Sequence, residues 1–599
     1  MNGPPERTQA AASRQRQRTL SAIFQCADQS ALIHNFVASE DPPPGAWSHH
    51  ATPQSPLGKV SFPEVFCLRR GHVLTRRRPG QLLEHALTGH DWWPWEYRGR
   101  GPGLRVERTV TRDVWLARVR LARGAPGLLL LECQPVGDVA LEYERTRAGL
   151  RFRWDKGFAV ELTFDPAPRA LDLSDDPDSL KRRLAGFTDV PLRAAHAQWA
   201  WREAKTLWVG VPFAGSLVVR LAVRRTNRRP LIVSYDRARR AEQRRWEQFF
   251  ADQVPPLRTT DPVVRDTYYF AWQTFWANHC RGGRGVLRGP FTSAARLSYG
   301  SQWWWDQAFH AAILRHLRDP RLTYAEFENF WRAQQPDGSI VGALRFTLDD
   351  IAQHHAQFYR QTMKMQPPVI GAVLPLLREH PGWPRDLARW HAALSRHAAW
   401  HLRPDRDTDR DGLAEYHHNI ESSGDQNQRW DSQKLDPTKT IDHLRPTESV
   451  DDNVWLALLW QSLAEMAQQL GRARQARAQA RRAQRLWTLI EERMWDDRDG
   501  FYYDLDGRSH RKIRVKTPYG FMPLLWPGCR RDRAERLVRE HLLNPRQFWC
   551  RYPLPSVSLD DPTFDPVDMW RGPTWVNVNW LVVQGLKRQG FLPQAIALA

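Results

Sequence analysis

Residues 421–431 read Glu421-Ser422-Ser423-Gly424-Asp425-Gln426-Asn427-Gln428-Arg429-Trp430-Asp431, and they set the terms for the rest of the chain. Three carboxylates, Glu421, Asp425 and Asp431, stand around a glycine, three amides, Arg429 and Trp430. Carboxylates supply acid–base chemistry, amides and guanidinium bind hydroxyl-rich ligands, and an indole offers a flat apolar face. No helical or strand period runs through the stretch, so it reads as a loop. A second block, Met569-Trp570-Arg571-Gly572-Pro573-Thr574-Trp575, repeats the pairing of tryptophan with arginine.

The segments on either side place these loops. Asp261–Asn278, Trp303–Leu317, Tyr324–Ala333, Arg385–Leu402, Ser449–Leu470 and Arg472–Met494 carry apolar residues at helical spacing. Gly471 stands between the last two, as a C-cap glycine between antiparallel helices would. Further helices are predicted at Pro518–Leu525, Arg531–Leu542 and Thr574–Arg588. Helices alternating with long polar loops predict an all-α (α/α)6-type toroid over 261–599. Upstream the period is two: Trp115–Leu121 alternates apolar and polar residues, and Leu128–Leu131, Leu150–Trp154, Phe158–Phe164, Thr206–Val211, Leu217–Val223 and Leu231–Tyr235 add strands. Turn residues separate them, which predicts an antiparallel β-sandwich over 56–236. The charged stretch 237–260 reads as a helical linker. Residues 1–55, rich in Pro, Gln, Arg and Ser, lack the apolar content to build a core and are expected to be poorly ordered.

Composition narrows the class. A chain of 599 residues exceeds one hydrophobic core, so two or three domains are expected. No apolar run is long enough to cross a membrane, and the basic N-terminus has no apolar segment behind it, so no secretory leader is read there. The net charge of +21 is mostly arginine spread along the whole chain, with no zinc-finger, helix-turn-helix or RNA-recognition motif beside it. Nucleic acid is therefore not the expected partner. Six scattered cysteines with no CxxC pair form neither a zinc site nor a disulfide framework, and a cytoplasmic setting follows as the default. Of the 29 tryptophans, those beside polar residues (Trp305-Asp306, Trp430-Asp431, Trp570-Arg571) are the candidates for ligand contact.

Four blocks in order then carry a resemblance: Trp305-Asp306; Gln335-Pro336-Asp337-Gly338; the 421–431 stretch; and Trp570-Arg571-Gly572-Pro573-Thr574-Trp575-Val576-Asn577-Val578-Asn579. Together, over about residues 300–585, they resemble the inverting (α/α)-barrel glycosidases of glycoside hydrolase family 63 and the mannosylglycerate-hydrolase-like enzymes. The resemblance implies a glycoside hydrolase cleaving an α-linked glucoside or mannoside, with Asp425 as general acid. It implies that Asp306 and Arg571 contact sugar hydroxyls or orient a carboxylate, with Trp305 and Trp570 as stacking walls. Gln335, Asp337, Glu421, Arg429, Trp430 and Asp431 complete the expected substrate-binding set. The chain departs from the family pattern at Ser423, Gly424 and Gln428, where the pattern has Gly, Met and Pro.

Inversion requires a second carboxylate, roughly 6.5–9.5 Å from the acid, to activate water. The resemblance places that residue after the Trp570 block, and no Asp or Glu follows Asp568. The expectation is thus a barrel incomplete at its C-terminus, and the alternative reading is a sugar-binding relative without a base. A basic nucleic-acid-associated protein is a weak third. Asp407-Thr408-Asp409-Arg410-Asp411-Gly412 has the alternating carboxylates of a calcium loop, but the twelfth position, where a glutamate is needed, is His418. It reads as a turn; no metal and no cofactor are expected, and the partner is a carbohydrate.

Overall fold

The computed structural model describes residues 33–34, 47–49, 60–62, 66–78, 81–85, 87–93, 96–111, 114–135, 142–153, 158–185, 206–225, 233–280, 287–294, 301–345, 366–380, 383, 386–422 and 424–599. The chain divides into two compact units, one of residues 1–301 with 346–349, the other of 302–345 with 350–599.

The first unit is built on two eight-stranded sheets whose recorded pairings are antiparallel. Its longest strands are β1 (Phe66–Arg78), β2 (Leu104–Thr111), β3 (Val114–Leu121), β4 (Pro126–Pro135), β5 (Phe158–Asp165), β6 (Leu207–Ala214) and β7 (Ser216–Arg225). In one sheet β4 lies between β1 and β6; in the other β7 lies between β5 and β3. The two-residue period of β3 explains its place. Trp115, Ala117, Val119 and Leu121 enter a buried cluster shared with Leu129 and Leu131 of β4 and Val209 and Val211 of β6. Val114 and Leu116 point the other way, onto Tyr235 and Ala238 of helix α1 (Tyr235–Asp252). Each buried Val or Leu among them contributes roughly 1.5–3 kcal/mol by leaving water.

The expected strand at Leu231–Tyr235 is corrected at its end: Tyr235 opens α1. The Ser234 hydroxyl accepts the Arg237 N–H at 3.4 Å, so this serine is a helix cap rather than a strand residue. Helix α2 (Pro262–Ala277) is capped by Asp261, which accepts from the Val263 and Val264 N–H groups, and it groups with the first unit. Of the N-terminal segment expected to lack order, only Ile33–His34 and Trp47–His49 are described, as paired strands; the rest lies outside the described residues.

The second unit is helical, with α3 (Trp304–Leu314), α4 (Arg321–Ala333), α5 (Ile370–Arg378), α6 (Leu387–Trp400), α7 (Val450–Gln469), α8 (Ala473–Leu489) and α9 (Val576–Arg588). Helix α7 is buried along nearly its whole length and packs against α5, α6 and α8. The chain turns from α7 into α8 at Gly471, whose φ of +72° suits a residue without Cβ, while the Arg472 N–H returns to the Ala467 carbonyl at 2.8 Å. A four-stranded sheet interrupts the helices: β8 (Glu415–His418), β9 (His443–Glu448), β10 (Asp504–Asp506) and β11 (Lys512–Ile513), in that order. It delivers the chain into the 421–431 loop. No described helix is long and apolar enough to cross a membrane.

Candidate active site

The loop after β8 is held by its own amides. The Asn419 side chain donates to the carbonyls of Asp425 (2.6 Å) and Thr440 (2.7 Å) and accepts the Asp442 N–H (3.0 Å). Asn427 accepts the Arg429 N–H at 3.1 Å, starting the tight turn Gln428–Trp430, and the Trp430 indole donates to the Gly424 carbonyl at 2.9 Å. A Cβ at Gly424 would lie 3.1 Å from the Tyr519 hydroxyl, tighter than ordinary contact, which accounts for a glycine there.

The same loop grips the second block. Asn427 donates to the carbonyls of Ser556 (2.8 Å) and Trp570 (3.0 Å), and Gln428 to those of Thr563 (3.0 Å) and Arg571 (2.9 Å). Arg571 answers with a two-pronged contact to Asp431 (3.0 and 2.8 Å) and a bond to the Gln426 carbonyl (3.1 Å). Two blocks far apart in sequence thus form one surface. Gln428, where the family pattern has proline, is a strut between them.

Asp425 stands out at this junction. Its carboxyl is half-buried, and burial pushes its pKa up to about 7, against a smaller opposing pull from its own backbone N–H. Burial, helped by the Asp451 and Asp425 charges, pushes the pKa of the neighbouring Tyr519 hydroxyl up. Asp306, in the first turn of α3, is also half-buried and is likewise pushed to about 7 by burial. Each retains a proton near neutrality.

Other expected contacts are engaged within the protein. Arg429 is 1% exposed; it grips both oxygens of Asp451 (2.7 and 3.1 Å), reaches Asp504 at 3.3 Å, and lies between the rings of Trp430 and Tyr519, 4.1 Å from each centroid. Trp430 is fully buried. Glu421 is buried against Arg406, which meets both its oxygens (3.2 and 2.9 Å), and it accepts the His417 N–H at 3.0 Å. Burial alone would raise the Glu421 pKa, but Arg406 outweighs it and the net shift is downward. These three residues hold the loop in place. The reason is their position beneath it, where a charge needs a partner and an indole needs an acceptor.

Trp570 is buried and stacked face to face on Trp575 at 3.8 Å, so one face of its ring is taken. Trp305 packs edge-on to Phe309 and near Trp455, with its backbone N–H given to Gln366. Gln335 and Asp337 form an exposed turn. The Asp337 carboxylate accepts from the Ser339 N–H and hydroxyl, the Trp400 indole and Arg403.

A third group escaped the sequence reading. Asp451, Asp452 and Asn453 occupy the first turn of α7, all fully buried. Asp451 is the partner of Arg429, and Asn453 exchanges two bonds with the backbone of Ala414 (2.8 and 3.0 Å). Neither oxygen of Asp452 has a donor among the described residues; the buried His401 ring stands 3.7 Å away. Three adjacent polar residues opening an apolar helix were the available signal. Burial pushes Asp452 from 3.8 to about 7, so it costs stability progressively as pH rises from about 4 to 7 and by a constant amount above. Asp452→Asn should accordingly gain in Tm relative to the parent across that window, then level off; a gain independent of pH would refute the assignment.

Comparison with known proteins fits this geometry. Residues 299–599, half of the chain, match the mannosylglycerate hydrolase MGH1-like glycoside hydrolase domain. The mannosylglycerate hydrolase of Thermus thermophilus is 29% identical over 375 residues, covering 52% of this chain and 87% of that protein. The glucosylglycerate hydrolase of Mycolicibacterium hassiacum is 26% identical over 395 residues, covering 52% and 85%. In fold, a bacterial glucoamylase solved with acarbose superposes with a TM-score of 0.60 at 8% identity, covering 94% of this chain and 86% of that one. The resemblance read from the four motif blocks is borne out: this chain belongs to the MGH1-like glycoside hydrolase family and is a glycosyl hydrolase.

Proposed function

We propose that this hydrolase acts on an α-linked mannosyl- or glucosylglycerate with inversion, Asp425 protonating the departing glycosidic oxygen while a carboxylate base, a role none of the site residues described above fills, takes the proton of the attacking water. The observation that carries the reading is Asp425: Asn419 holds its backbone carbonyl at 2.6 Å, and its carboxyl keeps its proton to about pH 7 because burial disfavours the anion. The names of the two relatives support the substrate class. Asp306, protonated over the same range, serves in this reading as a hydrogen-bond donor or acceptor to sugar hydroxyls. The helical unit is read as an (α/α)6 toroid preceded by a β-sandwich, supported by the glucoamylase likeness and by the single core shared by the two sheets.

Incubation with α-mannosylglycerate and α-glucosylglycerate, followed by proton NMR of the newborn sugar, tests this. Release of the β-anomer is expected, and kcat should fall as pH rises through about 7, because the general acid must hold its proton. Release of the α-anomer would overturn inversion, and cleavage of neither compound would overturn the substrate class.

A further inference from the structure

We propose, resting on the reading of Asp425 as general acid, that Tyr519 is a positioning residue for that acid: its hydroxyl donates a hydrogen bond to the carboxylate left once the proton has passed to the leaving oxygen. Tyr519 lies in the short 3₁₀ helix Pro518–Leu525 and is 1% exposed. Its ring is fixed from two sides. The Arg429 guanidinium covers one face, 4.1 Å from the centroid, and the Trp455 ring stands nearly perpendicular at 6.3 Å. The hydroxyl is thereby set against Gly424, the residue before the acid, where a Cβ would stand 3.1 Å from the oxygen. The family pattern has methionine at this position; here glycine leaves the space to the phenol.

The independent observation is a donor and an acceptor that each lack a partner. The buried Tyr519 hydroxyl has no hydrogen-bond partner among the described residues, which is unfavourable. No described side chain donates to the Asp425 carboxyl, whose support is its own backbone N–H. The other charges around the hydroxyl are already met. Asp451 receives both prongs of Arg429, and Asp504 accepts the Val450 N–H at 2.8 Å besides Arg429. The buried Tyr416 hydroxyl lies among Asp452 and Asp451. Asp425, once ionised, is the acceptor short of a donor. The two groups are not bonded at rest, when the carboxyl still holds its proton. Transfer moves that one proton to the glycosidic oxygen and leaves a half-buried anion. A turn of the Asp425 side chain, which no side-chain donor restrains, then brings it onto the phenol and satisfies both groups. The phenol keeps its own proton throughout, because burial pushes its pKa up.

Tyr519→Phe keeps the ring over Arg429 and removes the hydroxyl alone. Loss of a hydrogen bond to an anion should raise the midpoint of Asp425 ionisation by about one pH unit or more. Infrared titration of the full chain reads this without substrate. The carboxylic C=O absorption is followed against pH in wild type and in Tyr519→Phe, each after subtraction of the same protein carrying Asp425→Asn. On α-mannosylglycerate or α-glucosylglycerate, kcat should fall about tenfold or more, with KM little changed and the alkaline limb displaced upward. Glycosyl fluorides should lose less. Gly424→Ala, whose methyl group crowds the hydroxyl, should move the midpoint in the same direction. A loss of packing alone would lower Tm and leave the midpoint in place. A wild-type midpoint in Tyr519→Phe, while Asp425→Asn still loses turnover, overturns the role of Tyr519 and leaves the acid standing. Wild-type turnover in Asp425→Asn overturns the acid and, with it, the role of Tyr519.

Discussion

Asp425→Asn is expected to lower hydrolysis of mannosyl- or glucosylglycerate by about 10²–10⁴-fold, the ordinary contribution of general-acid catalysis. The loss should fall on kcat, with substrate affinity retained, because the amide preserves the shape of the side chain and part of its hydrogen bonding. The loop should not move, since Asn419, Asn427 and Trp430 hold it through backbone groups that the substitution leaves alone. Glycosyl fluorides, whose leaving group needs little protonation, should lose much less. The fall in rate above about pH 7 should vanish from the residual activity. An Asp425→Asn variant with unchanged kcat, or one equally impaired on fluorides and natural glycosides, would remove Asp425 from the acid's role.

Arg429→Met should be the most destabilising single change around the site, by about 3–5 kcal/mol, the usual effect of breaking a buried ion pair. Asp451 would be left in the interior without its partner, Asp504 would lose its nearest cation, and the Trp430 and Tyr519 rings would lose the guanidinium between them. Part of the loss should return in Arg429→Met/Asp451→Asn, which buries no stranded charge in place of Asp451. Near-ultraviolet circular dichroism, dominated by the many tryptophans, would follow the melting of the helical unit. A melting point within a degree of wild type would contradict the structural role given to Arg429 and return it to the substrate-binding set.

Most elements were legible along the chain. The predicted helix at Ser449–Leu470 is observed at Val450–Gln469, and the one at Asp261–Asn278 at Pro262–Ala277, because apolar spacing and caps are local properties. Strands Trp115–Leu121 and Leu217–Val223 lie within observed strands for the same reason. Helix α5 (Ile370–Arg378) was overlooked: it is short, contains Pro375, and is so uniformly buried that no polar face marks its period. The motif residues 421–431 and 570–571 were found, and the structure brings them together through Asn427, Gln428 and Arg571.

Their roles were less legible than their positions. Arg429, Trp430 and Glu421 have the chemistry of sugar contacts, and nothing in their spacing says which side of the loop they take. Partners from α7, β10 and the stretch before β8 settle it, placing Arg429 against Asp451 and Asp504 and Glu421 against Arg406. Family, secondary structure and the identity of the candidate acid are written in short-range order, where a residue's neighbours are its sequence neighbours. Whether a carboxylate faces a ligand, an arginine or another carboxylate depends on desolvation and on partners tens of residues distant, and those are set when the helices and the small sheet pack.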